Sequence, residues 1–183
     1  AYNRALVLAR LARMNEALIE AKKAQGKNPQ SFDERYLYLR LLLEVGRADD
    51  VVQRIPEPTK ELFPFRLLRI RALRQALRLA QALKEVEFLE GHAKGEDQEQ
   101  ALRRLYGKVL TDLGRGAEAV GLFRRPGTPA SELGIALSRA GRAKEALRVL
   151  RQAQYREGRD PELSLAIASA YMQVGRPDQA LGI

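Results

Sequence analysis

The chain has 183 residues, of which 45% are apolar and 30% charged, and its formal net charge is +9 at pH 7. Because cysteine is absent, the composition excludes disulfides, thiolate metal sites and thiol nucleophiles. No apolar run reaches the roughly 18 to 20 residues of a membrane span, and the compartment stays unassigned, with the cytoplasm favoured over the periplasm.

A seven-residue phrase recurs six times along the chain, and an arginine takes its second position in every copy. The copies begin at Ala12, Gly46, Leu77, Gly114, Gly141 and Gly175. Successive arginines are 34, 31, 37, 27 and 34 residues apart. A period near 34 with helical flanks indicates a stack of helical hairpins rather than one globular core.

The phrase marks the turn inside each predicted hairpin. We therefore predict one solenoid domain over residues 1–183, with approximate repeats at 1–31, 32–60, 61–96, 97–126, 127–159 and 160–183. Both ends fall within predicted helices, so we expect the chain to be part of a longer protein. Leu181 and Ile183 would then form an exposed apolar end.

The repeat at 127–159 shows the pattern most clearly. An apolar helical stripe ends at Gly141, which suits the left-handed conformation after a helix, and a second stripe follows. An acid is expected in the first turn of most second helices, where it suits the helix dipole. These acids are Glu16, Asp49, Glu118, Glu145 and Asp178.

Small residues recur where the two helices of a hairpin would touch. Ala5, Gly107, Gly134 and Ala168 lie seven residues before the turn residue, and Ala17, Ala82, Ala119, Ala146 and Ala180 lie five after it. Side chains of this size allow two helix backbones to approach closely.

Three irregularities are predicted. Pro56 and Pro126 should shorten the second helices of the second and fourth repeats. The longest connections should run from Ile55 to Leu62 and from Gly91 to Asp97. The third copy has Leu77 where four others have glycine, so its register is the least well specified.

The fifth and fourth repeats contain a more specific motif. The fifth reads Leu133-Gly134-x2-Leu137 and then Ala146-x3-Leu150, and the fourth reads Tyr106-Gly107-x2-Leu110 and then Ala119-x3-Phe123. The chain thereby resembles bacterial-type tetratricopeptide repeat proteins. The resemblance implies an all-α fold, a right-handed α-solenoid or superhelix of antiparallel helix-turn-helix hairpins.

The resemblance also implies that a partner binds in a concave groove lined by the first helices. The candidate partner-binding residues are Tyr36, Arg40, Arg71, Arg74, Arg104, Lys108, Ser138 and Arg139, with Tyr2, Leu6, Arg10 and Ser131 on the same surface. The middle of this groove is cationic, and arginine suits bidentate contact with carboxylates or phosphate. We therefore predict a protein–protein interaction scaffold or adaptor that binds a protein or peptide segment, which could be acidic.

Two alternatives stay open. The basic surface could bind nucleic acid, as some helical-repeat proteins do, or the excess of arginine could be only compositional. The solenoid ends and the apolar segment 62–65 could support self-association, although that segment could equally pack between the second and third repeats. The six arginines of the phrase could line a binding edge, or could simply stabilise helix ends.

No catalytic or cofactor motif is found. His92 is the only histidine, and a lone histidine without cysteine makes a poor metal site. We predict no enzyme activity, no metal and no cofactor, and we interpret His92 as a surface residue.

Overall fold

The computed structural model describes residues 1–56, 62–158 and 160–183, and all regular secondary structure in these ranges is helical. The helices are α1 (Tyr2–Arg10), α2 (Met14–Lys27), α3 (Phe32–Glu44), α4 (Ala48–Arg54), α5 (Phe63–Gln75), α6 (Leu79–Glu90), α7 (Glu96–Asp112), α8 (Gly116–Phe123), α9 (Ala130–Arg139), α10 (Ala143–Glu157), α11 (Pro161–Gln173) and α12 (Pro177–Leu181). The predicted all-α fold is confirmed.

Each predicted repeat contains two of these helices. The predicted boundary between the second and third repeats, at residues 60 and 61, lies outside the described residues, as does residue 159 at the boundary of the fifth. Within the described ranges, no helix combines the length and apolar character that crossing a membrane requires.

The chain divides into two compact units. Unit 1 comprises Ala1–Ala82 and unit 2 comprises Leu83–Ile183, so the division falls within α6. The largest fully buried side chains of unit 1 are Leu39, Leu41, Leu42, Val51, Ile55, Leu68, Ile70 and Leu73. Those of unit 2 are Leu110, Leu137, Leu150 and Ile167. Each unit therefore has its own apolar core between its helices.

The turn residue of all six phrases adopts the left-handed conformation. Glycine takes it at four turns, whereas Ala12 and Leu77 take it at φ 57° although they carry a Cβ. The next residue, always arginine, donates its backbone N–H to the carbonyl five residues earlier at 2.8 to 3.0 Å. This is a Schellman closure of the first helix. Leu77 therefore places the third repeat in the same register as the others.

Small residues lie where the helices of a hairpin touch. Ala5, Ala17, Ala82, Ala119 and Ala146 have no exposed surface. A Cβ on Gly107 would lie 2.4 Å from the Phe123 ring, and one on Gly134 would lie 2.4 Å from a Leu150 methyl. The large side chain of the second helix thus fills the space that the glycine of the first leaves open.

The second helices of the second and fourth repeats are short, as predicted, with 7 residues in α4 and 8 in α8. The connection from Gly91 to Asp97 was predicted to be one of the two longest, and this prediction is wrong. The linker after α8, residues 124–129, is longer than the linker after α6, residues 91–95. Helix α7 begins at Glu96 rather than beyond Asp97, and acidic side chains at its first turn favour that earlier start. Most of the linker from Ile55 to Leu62 lies outside the described residues.

Candidate functional site

Helices α3 and α5 of unit 1 lie side by side and run in the same direction. Near their first turns, the rings of Phe32 and Phe65 are 5.1 Å apart. Near their last turns, the Gln75 amide donates to the Leu43 carbonyl at 3.2 Å. The exposed surface that these two helices share is called the α3–α5 face below.

Arg40 and Arg71 occupy equivalent places on this face, since each lies six residues before its turn residue, Gly46 or Leu77. Both side chains are exposed. Within the described ranges, neither guanidinium has a hydrogen bond or ion pair to another residue. Arg74, predicted for the same surface, lies one turn further along α5 and is half-buried. The α3–α5 face thus presents two guanidinium groups that can bind an external anion.

Tyr36, the remaining predicted residue of α3, belongs to an aromatic cluster with Phe32 and Phe65. Its ring stacks on Phe32 at 5.7 Å with an interplanar angle of 11°, and lies 6.0 Å from Phe65. The Arg35 guanidinium lies 4.5 Å from the Phe65 ring centroid. Phe65 is only 2% exposed, so the part of segment 62–65 that it occupies packs inside unit 1.

Arg104 and Lys108 of unit 2 both bind one carboxylate, that of Glu132 in α9. Arg104 donates to its two oxygens at 2.7 and 3.1 Å, and the Lys108 ammonium lies 3.0 Å away. Burial opposes ionisation of Glu132, but the hydrogen bonds from Arg104 and Lys108 outweigh it and lower the pKa of the carboxyl group. The same hydrogen bond raises the pKa of Arg104. These two cations therefore join α7 to α9 as well as facing solvent.

Ser138, predicted for the same surface, is buried with only 7% of its surface exposed and so offers little surface to a partner. It lies three residues before its turn residue, in the last turn of α9. Arg139, the next residue, is exposed at the end of α9. Of the predicted residues in the fifth repeat, Arg139 is exposed and Ser131 is partly exposed.

Within the described ranges, five of the six arginines of the repeated phrase form ion pairs with acids in the first turns of second helices. The pairs are Arg13–Glu16, Arg47–Asp50, Arg78–Asp49, Arg115–Glu118 and Arg142–Glu145. Four of them join residues three apart, so the arginine before a second helix neutralises an acid in its first turn. These contacts give the arginines a structural role at the start of the following helix, rather than the predicted one at the end of the preceding helix.

We expect Glu132→Gln to lower the free energy of unfolding of the chain at neutral pH. Hydrogen bonds to charged groups contribute about 1.5 to 3 kcal/mol, and because Arg104 and Lys108 are 39% and 40% exposed, solvent screening reduces the expected loss to about 1 to 2 kcal/mol. Urea denaturation followed by circular dichroism measures it.

The matched control is Glu118→Gln, which removes the exposed pair between Arg115 and Glu118 at the start of α8 and should cost less. Because the folded-state pKa of Glu132 is lowered, its contribution is present above the unfolded pKa and is lost as the pH falls through the folded value. The difference between wild type and E132Q should therefore shrink in acid. An equal loss for both variants, or a difference that grows in acid, would contradict the described ion pair.

The sequence did not predict two residues of these contacts: Phe32 of the aromatic cluster, and Glu132, which binds Arg104 and Lys108. Phe32 lies four residues before Tyr36, so helical spacing could have placed both on one face. Glu132 carries no comparable signal, because its contacts are 28 and 24 residues away.

His92 is exposed, and its Nδ1 lies 2.8 Å from the Phe88 carbonyl oxygen. In the described part of the chain, no three acidic or histidine side chains are grouped to hold a metal ion.

No protein-family model matches the chain, and no curated protein sequence matches it. Solved structures do resemble it. TTC0263, described as a thermophilic TPR protein in Thermus thermophilus, matches with a TM-score of 0.70 at 22% identity, over 93% of this chain and 97% of that one.

Two further structures support the same fold. A tetratricopeptide repeat protein from Parabacteroides merdae ATCC 43184 matches with a TM-score of 0.67 at 14% identity, over 99% of this chain and 75% of that one. A structure of MamA MSR-1 matches with a TM-score of 0.55 at 20% identity, over 81% of this chain and 91% of that one. Together with the six helical turns of the same geometry, these likenesses show that the chain has the tetratricopeptide repeat fold.

Proposed function

We propose that the chain is a protein-interaction module that holds an acidic, extended segment of a partner protein on the α3–α5 face. Arg40 and Arg71 would bind carboxylates of that segment. The observation that carries the proposal is the contrast between the two units. Arg40 and Arg71 are exposed and make no ion pair within the described ranges, whereas Arg104 and Lys108 share Glu132.

Geometry favours an extended segment. Packed helices lie about 8 to 10 Å apart, and an extended chain advances about 3.3 Å per residue. Carboxylates three residues apart therefore span the distance between equivalent positions on α3 and α5, and they lie on the same side of the segment where it is polyproline II-like, with three residues per turn. Each guanidinium can then make a bidentate, charge-assisted contact, which is stronger than a neutral hydrogen bond.

The test uses a fluorescein-labelled peptide of four Glu-Gly-Ser triplets, which has a carboxylate at every third residue. Its binding to the full chain is measured by fluorescence anisotropy at low and moderate salt. We expect R40E/R71E to weaken binding at least tenfold, because two attractive contacts become repulsive. The same peptide with glutamine in place of glutamate should bind wild type much more weakly.

The matched control is K144E/R148E, which makes the same change in net charge at exposed positions of α10 in unit 2. It should bind the peptide within about threefold of wild type, since only long-range attraction changes. An equal loss in both double variants would show that net charge, not the α3–α5 face, attracts the peptide. Unchanged binding by R40E/R71E would disprove the assignment.

A single-stranded RNA of twelve uridines tests the nucleic-acid alternative under the same conditions. Few exposed aromatic side chains are available to stack bases, so we expect the RNA to bind only at low salt. RNA binding that persists at physiological salt and disappears in R40E/R71E would assign the face to nucleic acid instead.

A further inference from the structure

We propose that the same face also selects an apolar side chain of the partner, which lies on the cluster of Phe32, Tyr36 and Phe65. The recognised segment would then carry an aliphatic or aromatic residue two to four residues from the carboxylate that binds Arg40. This inference rests on the proposed function, since the carboxylate contact determines where the segment lies.

The cluster is a rigid apolar platform. Phe65 is 2% exposed and forms its base. Phe32 packs edge-on against Phe65 at 5.1 Å and stacks on Tyr36 at 5.7 Å. Phe32 nevertheless keeps 39% of its surface exposed. Because each ring is fixed by the other two, a partner side chain could bury this surface at little cost in side-chain entropy.

The platform lies beside the free charge of Arg40. Phe32, Tyr36 and Arg40 follow one another at intervals of four residues on α3 and so share one side of the helix. Four helical residues span about 6 Å, and two residues of an extended chain span about 6.6 Å. With a carboxylate on Arg40, the part of the segment that runs along α3 would place the residue two away on Tyr36 and the residue four away on Phe32, while the part on the other side of that carboxylate crosses to Arg71 on α5.

Charge complementarity limits the partner to this composition. Arg40 and Arg71 supply two positive charges beside the platform. A purely apolar segment would leave both guanidinium groups without partners, and a purely acidic one would leave the rings exposed. A segment with an apolar residue close to an acidic one could contact both the aromatic cluster and the guanidinium groups.

The test compares two labelled peptides that differ at one residue. The first is the Glu-Gly-Ser peptide with leucine two residues from a central glutamate, and the second has serine there. Wild type should bind the leucine peptide about tenfold more tightly, as expected when roughly half of a leucine side chain is buried. In Phe32→Ala this preference should fall below threefold.

The control is Tyr155→Ala, which removes an aromatic side chain that is 92% exposed in unit 2, and it should keep the full preference. If Phe32→Ala keeps the leucine preference, the inference is wrong while the carboxylate contact stands. If wild type binds neither peptide, both the proposed function and this inference fail. Circular dichroism of Phe32→Ala checks independently that the variant is folded.

A second measurement does not depend on any variant. The leucine is replaced with photo-leucine, and the cross-linked residues of the wild-type chain are identified by mass spectrometry. We expect the cross-links within 32–40 or 63–71. Cross-links confined to unit 2 would overturn the proposal.

Discussion

Replacing Gly116 with alanine is expected to lower the free energy of unfolding of unit 2 by about 3 kcal/mol, near the upper end of the usual cost of overpacking. A Cβ at this position would lie 2.6 Å from the Ala140 backbone nitrogen and 2.8 Å from the Arg139 carbonyl carbon. Backbone atoms cannot move aside as a flexible side chain can. The first turn of α8 and the end of α9 would have to separate. Urea denaturation followed by circular dichroism measures the loss.

Gly121 in the same helix provides the matched control. No atom lies within 4 Å of a Cβ built there, and alanine is favoured over glycine inside a helix by about 0.5 to 1 kcal/mol. Gly121→Ala should therefore stabilise the chain slightly. Gly116→Ala and Gly121→Ala are therefore expected to change the free energy of unfolding in opposite directions, although both lie in α8. Similar effects of both variants would mean that α8 and α9 do not approach as closely as described.

Replacing Phe123 with alanine is expected to cost about 3 to 5 kcal/mol, the usual range for truncating a buried phenylalanine. Its ring is 3% exposed and fills the space above Gly107 between α7 and α8. Because contacts in a repeat array are mainly between neighbours, hydrogen exchange should increase most in α7 and α8. Urea denaturation measures the loss in free energy of unfolding, and hydrogen exchange followed by mass spectrometry shows which helices lose protection.

Gly107→Ala tests the same contact from the other side. In the wild-type background its Cβ would lie 2.4 Å from the Phe123 ring, so the substitution should be destabilising. In the Phe123→Ala background that ring is absent, and Gly107→Ala should become stabilising because alanine favours a helix. If the effect of Gly107→Ala does not depend on residue 123, the described packing is wrong.

The helical hairpins and their turns could be predicted from local sequence patterns. The left-handed conformation after a helix favours glycine, so Gly46, Gly114, Gly141 and Gly175 mark their turns without reference to the rest of the chain. Helical spacing likewise identified the first helices and most of their exposed side chains. These features are local, because a few neighbouring residues fix the conformation of each. The same local pattern aligned Leu77 with the glycines, although only the structure showed that it adopts their conformation.

Only the packing of the helices shows which of the predicted cations are held in ion pairs within the described ranges. From the sequence, Arg40 and Arg104 are equivalent, since both are predicted to lie on the exposed side of the first helix of a repeat. Glu132 comes 28 residues after Arg104, and only the packing of α9 against α7 brings its carboxylate within 2.7 Å. The burial of Ser138 and the contact between Phe32 and Phe65 likewise depend on how the helices pack. Burial and charge pairing depend on which helices become neighbours, and that is a property of the assembled chain rather than of any one repeat.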